Sequence, residues 1–98
     1  MTLTRKEVRE CVIQCLLELS TDQSPQPIDE QTNPMWKLGL DSHDGVNLAC
    51  KLTEKLNYAI PNEINPLVDD ELKRPRRVGE IISLVCGLID TRKEQNHG

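Results

Sequence analysis

The sequence predicts an all-α fold, a small four-helix bundle made of three main helices and one short helix. Three segments carry apolar residues at the three- and four-residue spacing that places side chains on one face of a helix. No alternating strand pattern, internal repeat or low-complexity run interrupts them. Aromatic residues make up only 2% of the chain and Phe is absent. We therefore expect a core of Leu, Ile, Val, Ala and Cys side chains.

The first helix is predicted to begin at Thr4. The segment Thr4-Arg5-Lys6-Glu7 has the capping-box pattern, in which a hydroxyl residue is followed three positions later by Glu. Ser20-Thr21-Asp22, with Pro25 and Pro27 beyond it, ends the helix. Its buried face is expected to consist of Val8, Val12, Cys15, Leu16 and Leu19.

A long loop is expected to follow, as far as about Leu40. Within it, Asn33-Pro34 favours a short turn, because Asn is a good cap and Pro suits the first helical position. We expect Met35, Trp36 and Leu38 to pin this turn to the core and to hold the following loop steady.

The second main helix is predicted from about Ser42 to Asn57, with Asp41 as its N-cap. Pro61 stops whatever continues from it. The apolar band of this helix is broad enough to contact two neighbours. It consists of Val46, Leu48, Ala49, Cys50, Leu52 and Leu56.

The short helix is predicted over Leu67 to Leu72. Asn65-Pro66 repeats the pattern of a cap followed by a first-turn proline. Asp69 and Asp70 then lie early in the segment, where the helix dipole favours acids.

The last helix has the cleanest amphipathic stripe in the chain. The polar segment 91–98 after it is expected to be a frayed tail, so the ordered part of a single domain, 1–98, would span about 3–90. The stripe consists of Val78, Ile81, Ile82, Val85, Leu88 and Ile89.

Composition narrows the functional class. With 98 residues and 37% hydrophobic content, the chain fits one small domain with its own core, and a monomer is expected. The net charge of −4 argues against a general nucleic-acid binder, which needs a basic face. The longest apolar stretch, Ile81 to Ile89, is far shorter than the roughly 20 residues of a membrane span. Charged residues at 5–10 interrupt any signal peptide, so a cytoplasmic location is expected.

The cysteines are expected to be free, buried thiols. Cys11, Cys15, Cys50 and Cys86 all lie within apolar helical patterns, and none forms a CxxC pair. Cys11 and Cys15 are spaced i, i+4, and Asp69-Asp70-Glu71 forms an acidic run, but neither is a complete ligand set. No metal site is predicted.

The most informative segment is Gly39-Leu40-Asp41-Ser42, because it places a hydroxyl where a loop becomes a helix. Ser42 is predicted at or beside the first helical position, where backbone donors and the helix dipole favour an anion. Plain helix capping explains the same residues and remains open. Ser42, His43 and Asp44 do not form a catalytic triad, because adjacent helical residues point about 100° apart.

The segment Leu38-Gly39-Leu40-Asp41-Ser42 resembles the acyl carrier protein family. The similarity extends from about Thr4 to Ile89 in element order, and it is specific between Leu38 and Pro61. It continues through Val46, Leu48, Leu52, Glu54 and Ile60-Pro61. The resemblance implies an acyl carrier protein-like bundle in which Ser42 carries covalent 4′-phosphopantetheine, with Asp41 as the motif residue before it.

The resemblance also implies a function and a set of partners. The chain would not be an enzyme, and it would carry acyl groups as thioesters in fatty-acid, polyketide or related lipid biosynthesis. Its partners would be a phosphopantetheinyl transferase, which takes the arm from coenzyme A, and acyl-loading and acyl-transfer enzymes. The acyl chain would lie between helices lined by Ala49, Cys50, Ile81 and Val85, or the core would be fully packed.

Several features differ from the family and suggest partner contacts specific to this chain. His43 stands where an apolar residue is usual, the following helix is less acidic, and the segment from Pro61 to Val78 is longer. The basic residues before the last helix either bind a partner or pair with the acids at 68–72. The expected partner-binding residues are His43, Asp44, Asn47, Lys51, Arg74, Arg76 and Arg77.

Two other functions remain open. An unmodified helical protein-interaction module would use the same helix and the basic loop without carrying anything. An aminoacyl or peptidyl carrier would share the modified Ser42 but not so closely its Asp-Ser-x-Asp context.

Overall fold

Helices make up most of the described chain, and a two-stranded antiparallel ribbon accompanies them. The computed structural model describes residues 3–20, 28–61 and 63–95, the side chains of 91–95 excepted. The predicted small helical bundle is confirmed at this level. The elements in order are α1 (Arg5–Leu19), α2 (Pro34–Lys37), α3 (Ser42–Leu56), β1 (Val68–Asp69), β2 (Arg74–Pro75) and α4 (Val78–Gln95).

The core forms around α1, which packs against both α3 and α4. Its predicted face is confirmed, since four of the five residues are fully buried and Leu19 is partly buried against the core. The fully or almost fully buried side chains of the three long helices are Val8, Val12, Cys15, Leu16, Leu48, Leu52, Val78, Ile81, Ile82 and Val85. This core is aliphatic, as predicted.

The apolar band of α3 is narrower than predicted. Leu48 and Leu52 are fully buried, but Val46 is 63% exposed and Cys50 is also exposed. Val46 and Cys50 are four residues apart and therefore share a face, which here points away from α1. An apolar side chain indicated burial at these two positions, whereas the packing of α3 against α1 uses only one stripe.

All four cysteines are free, as predicted, but only Cys15 is buried. Cys11 and Cys86 are half-buried and Cys50 is exposed, so the prediction of four buried thiols is wrong for those three. Burial raises the pKa of the Cys15 thiol to about 12, which leaves little reactive thiolate near neutral pH.

The predicted helix starts are present. Thr4 Oγ1 accepts the backbone N–H of Glu7, and the Glu7 carboxylate accepts that of Thr4, each at 3.2 Å. α1 ends at Leu19, where Ser20 N–H donates to the Leu16 carbonyl, while residues 21–27 lie outside the described chain.

The short turn after Asn33 is also present, as α2. Asn33 Oδ1 accepts the N–H of Met35 at 3.1 Å, as expected of a cap. Trp36, however, is 82% exposed and does not pin the turn. Leu38 is buried and Met35 packs against the core, as predicted, and Pro34 is buried beside them.

The short helix predicted over Leu67 to Leu72 is absent, and the ribbon takes its place. Val68 pairs with Pro75 and Asp69 with Arg74. The Leu67 carbonyl, which a helix would offer to residue 71, accepts the N–H of Arg76 at 2.8 Å.

A local competition explains the turn between the two strands. The Asp69 carboxylate accepts the N–H groups of Glu71 and Leu72 at 3.0 and 3.1 Å. Such side-chain bonds offer the backbone an alternative to the helix. Lys73 then adopts a left-handed conformation, with φ of 55°, and reverses the chain.

The last helix starts against the loop that precedes α2. Val78 N–H donates to the Thr32 carbonyl and Gly79 N–H to the Glu30 carbonyl, both at 2.9 Å. α4 continues to Gln95, past the predicted end of the ordered part at about 90, and 96–98 lie outside the described residues. Thr-Arg-Lys-Glu-Gln has no helix breaker. No described helix has the length and apolar character of a membrane span.

Two adjacent leucines of α1 provide a test of the core. Leu16 is fully buried and Leu17 is 42% exposed. Leu16→Ala should lower the free energy of unfolding by about 2–5 kcal/mol, because it leaves a cavity. Leu17→Ala makes the same chemical change and should cost less than about 1 kcal/mol. Urea denaturation measures both, and equal losses would contradict the packing of α1.

Asp69 provides a pH test of the ribbon turn. The N–H of Leu72, and then that of Glu71, holds the pKa of this carboxyl below its ordinary value of 3.8. A lowered pKa stabilises the fold above the unfolded value and loses that effect as pH falls through the folded value. The advantage of the wild type over Asp69→Asn should therefore be constant above about pH 5 and shrink below pH 3.8.

Denaturation curves across this pH range measure the difference. Asp70→Asn, at the exposed neighbour, accounts for the general effect of removing one negative charge. An Asp69→Asn difference that stays constant down to pH 2 would contradict the turn.

Candidate functional site

The loop before α3 is anchored to the core by the two residues that flank a single glycine. Gly39 adopts φ of 68°, a left-handed conformation that residues with a side chain rarely adopt. Leu38 and Leu40 on either side of it are only 4% and 6% exposed. The left-handed conformation of Gly39 allows both neighbouring leucines to be buried in the core. The backbone just before Asp41 is therefore held in place.

Asp41 caps α3 with a complete capping box. Its Oδ1 accepts the N–H of His43 at 2.9 Å and that of Asp44 at 3.2 Å. Asp44 Oδ2 in return accepts the N–H of Asp41 at 2.9 Å. The predicted N-cap role of Asp41 is confirmed, and Asp44 takes part in the same box.

Ser42 is the first residue of α3 and is exposed to solvent. Among the described residues, none forms a hydrogen bond with its hydroxyl. Because Asp41 already occupies the N–H groups of His43 and Asp44, the helix start does not offer these two donors to an anion. The geometry therefore presents a free hydroxyl on a rigid base, and it does not form an anion pocket.

Asn65 is the supporting residue that the sequence analysis missed. Its Nδ2 donates to the Ser42 carbonyl at 3.1 Å, across 23 positions of sequence. Its Oδ1 accepts the N–H of Leu67 at 2.9 Å, but the helix that it was predicted to cap is absent. The pairing of Asn65 with Gly45, whose absent side chain leaves room for the amide, had no local signal in the sequence.

The neighbouring Ser42, His43 and Asp44 side chains make no hydrogen bond to one another within the described structure. The Asp44 carboxylate is directed to the Asp41 backbone, so it does not orient the imidazole.

The outward face of α3 carries the other expected partner-binding residues. His43 and Asn47 are exposed next to Val46 and Cys50. Lys51 is partly buried, and its Nζ lies 3.4 Å from Glu18 of α1.

Glu18 holds a second cation of α3 as well. Lys55 lies 2.8 Å from the other carboxylate oxygen of Glu18. Its hydrogen bond, followed by that of Lys51, lowers the pKa of the Glu18 carboxyl. One carboxylate of α1 therefore pairs with both lysines of α3.

The three arginines near the ribbon are all paired, and none of their described hydrogen bonds or ion pairs is to the acids at 68–72. Arg74 lies 2.7 Å from Glu80, and the Arg77 guanidinium donates to Gln31 at 3.1 Å. The Arg76 guanidinium donates to the Asn65 carbonyl at 2.7 Å. Of the three, only Arg76 is linked by the described hydrogen bonds to the residue that supports Ser42.

An open cleft of about 600 Å³ lies beside the start of α4. Its charged lining is balanced, because the basic and acidic residues are equal in number. They are Arg5, Arg76 and Arg77, and Glu30, Asp69 and Glu80.

The predicted lining of an acyl cavity is divided between core and surface. Ile81 and Val85 are buried and Ala49 packs partly against the core, whereas Cys50 is exposed and cannot line the interior. In the part of the chain that the structure describes, no group of three or more His, Cys, Asp or Glu residues could hold a metal ion.

Comparison with protein-family models gave no match. Searches of curated proteins and of solved structures also found no similar protein.

Asp41 can be tested as the residue that orders the site. Asp41→Ala removes the acceptor of two first-turn N–H groups and should lower the free energy of unfolding by about 1 kcal/mol. Amide exchange at His43 and Asp44 should accelerate, since their N–H groups lose this acceptor. Hydrogen exchange followed by NMR measures both residues.

Glu54→Ala serves as the control, because it removes an exposed acid from the same helix far from the cap. It should leave exchange at His43 and Asp44 unchanged. Equal protection in Asp41→Ala and the wild type would contradict the capping box.

Proposed function

We propose that this chain is a carrier domain that bears 4′-phosphopantetheine on Ser42 and delivers a thioester-bound acyl group. The enzymes it serves would be those of fatty-acid, polyketide or related lipid biosynthesis. One observation carries the proposal. The exposed Ser42 begins a helix directly after its Asp41 cap, within a segment that resembles the modified motif of acyl carrier proteins.

The surroundings of Ser42 suit a tethering residue. The preceding loop is held by Leu38 and Leu40, and the helix start by Asp41 and Asn65. A tether needs a fixed base and free approach for the enzyme that modifies it. The exposed hydroxyl, with no described hydrogen-bond partner, leaves that approach open.

In the modification reaction, this chain would supply the accessible Ser42 hydroxyl, and the transferase would supply the catalytic groups. The Ser42 oxygen would form a bond to the phosphorus of coenzyme A that carries the pantetheine, and the nucleotide portion would leave. The modifying transferase would supply the base that removes the Ser42 proton, since the nearby Asp44 carboxylate is engaged by the Asp41 N–H. The arm, once attached, supplies the thiol that holds the acyl group.

The outward face of α3 is the proposed contact for the transferase and the acyl-transfer enzymes. His43, Val46 and Asn47 are exposed within the first turns after Ser42. Lys51 contributes a partly exposed side chain, and Arg74 and Arg77 provide a separate basic edge between the ribbon and α4.

The second candidate function is an unmodified interaction module. The exposed side chain of Trp36 favours this function. It is 82% exposed, and Trp side chains are enriched in protein interfaces. An aminoacyl or peptidyl carrier would use the same modification of Ser42 and would differ only in its cargo.

Intact mass after incubation with coenzyme A and a broad-range phosphopantetheinyl transferase tests the proposal. The wild type should gain one phosphopantetheine group, and Ser42→Ala should gain none. Ser83→Ala, at an exposed serine of α4, is the matched control and should be modified like the wild type.

A wild type that gains no mass would reject the carrier function and leave the interaction module. Addition that persists in Ser42→Ala would place the arm elsewhere and reject the assigned site. If the arm is added, mass analysis of the thioester from the native host distinguishes acyl from aminoacyl cargo.

A further inference from the structure

The side-chain amide of Asn65 makes a bond that α3 does not need in order to be a helix. The Ser42 carbonyl, which accepts Nδ2 of Asn65, also lies in position to accept the N–H of Val46 in the ordinary helical pattern. The bond from Asn65 therefore adds an outside attachment to the first turn. Its effect is to fix the turn relative to the rest of the chain.

Gly45 makes this attachment possible. A Cβ at position 45 would lie 2.5 Å from Cγ and 2.7 Å from Nδ2 of Asn65, and closer still to Oδ1. All three contacts are far inside van der Waals distance, and all three involve Asn65 alone. Gly is a poor helix former, yet it stands in the buried side of the first turns of α3. Close approach of the Asn65 amide accounts for it.

Asn65 is itself held from the other side. Its carbonyl accepts the Arg76 guanidinium at 2.7 Å and the N–H of Val68 at 3.3 Å. Its Oδ1 accepts the N–H of Leu67. The opposite needs of a carbonyl and an N–H determine which end of the amide faces Ser42 and which faces Leu67.

We propose that Asn65 is a positioning residue for Ser42. Together with the space left by Gly45, it attaches the start of α3 to the ribbon and keeps the Ser42 hydroxyl in the orientation that a modifying enzyme binds. This inference rests on the proposed function for its consequence in modification. The attachment itself can be measured on the unmodified chain.

The expected change in KM follows from how often Ser42 occupies the orientation that the enzyme binds. If the orientation that the enzyme binds is occupied for a smaller fraction of the time, the apparent affinity falls by that fraction. Loss of one hydrogen bond is enough to raise KM for the carrier by up to about fivefold. kcat should change less, because the hydroxyl and the enzyme's own catalytic groups are intact in the bound complex.

Asn65→Asp is the variant that tests the bond to Ser42 most directly. It keeps the oxygen that accepts the Leu67 N–H and replaces the donor to the Ser42 carbonyl with a second acceptor. The added negative charge near the start of α3 is favourable to the helix dipole but lies at the same turn as the Asp41 and Asp44 carboxylates, so a control for the charge alone is needed. Gln14→Glu makes the same charge change at an exposed position of α1, outside the proposed contact face, and is the matched control.

The experiment measures two quantities on each variant. The first is amide exchange of Ser42 to Gly45 by NMR in the unmodified protein, and the second is KM and kcat for transfer from coenzyme A. Asn65→Asp should accelerate the exchange by about fivefold and raise KM, and Gln14→Glu should leave both unchanged.

A double-mutant cycle gives a second reading that does not depend on charge. Gly45→Ala alone should displace Asn65 and reproduce the faster exchange and higher KM. In an Asn65→Ala background, the same change meets no amide, so Gly45→Ala should add no further loss of either.

The possible results separate the two proposals. If the wild type is modified and Asn65→Asp has unchanged KM and exchange, the positioning role is wrong and the carrier function stands. If the wild type gains no arm, the carrier function and the role of Asn65 in modification both fall. Amide exchange then still decides whether Asn65 holds the turn, and additive effects in the cycle would contradict the contact with Gly45.

Discussion

Burial of one stripe of α1 is the constraint on which the other elements depend. Val8, Val12, Cys15 and Leu16 are fully buried, and α1 is the helix that packs against both α3 and α4. With so few aromatic residues, the stability must come from close packing of branched aliphatic side chains. The position of this stripe determines where α3 and α4 lie, and consequently where their starting turns emerge.

The starting turns of α3 and α4 are then fastened by polar contacts. Glu30 is central at α4, since its carboxylate lies 2.6 Å from Arg5 of α1 and its carbonyl accepts the N–H of Gly79. Asn65 has the corresponding place at α3. The two fastenings differ in kind, because the first uses the main chain of a loop and the second uses an amide that fits against a glycine. The helix that begins at Ser42 is therefore held by side chains distant in sequence.

Features coded by neighbouring residues could be predicted from the sequence, and those coded across the chain could not. The capping residues Thr4, Asn33 and Asp41 act within a few positions, so their roles are visible locally. The burial of α1 followed from its own periodicity. By contrast, the exposure of Val46 depends on where α3 meets α1. The ribbon depends on the Leu67 carbonyl accepting the N–H of Arg76, which is distant in sequence, and not an N–H of the next helical turn. Of the candidate site, the sequence therefore indicated Asp41 and Ser42 but not Asn65.

Glu18 gives the outward face of α3 an unusual property. By accepting both Lys51 and Lys55, it draws the two cations of this helix toward α1 and offsets one of their two positive charges. Fast association between proteins relies on complementary long-range potentials, whose effect weakens as ionic strength rises. A molecule approaching His43 and Val46 meets little such guidance from these lysines. Capture on this side therefore draws little on these two lysines and more on shape and short-range fit.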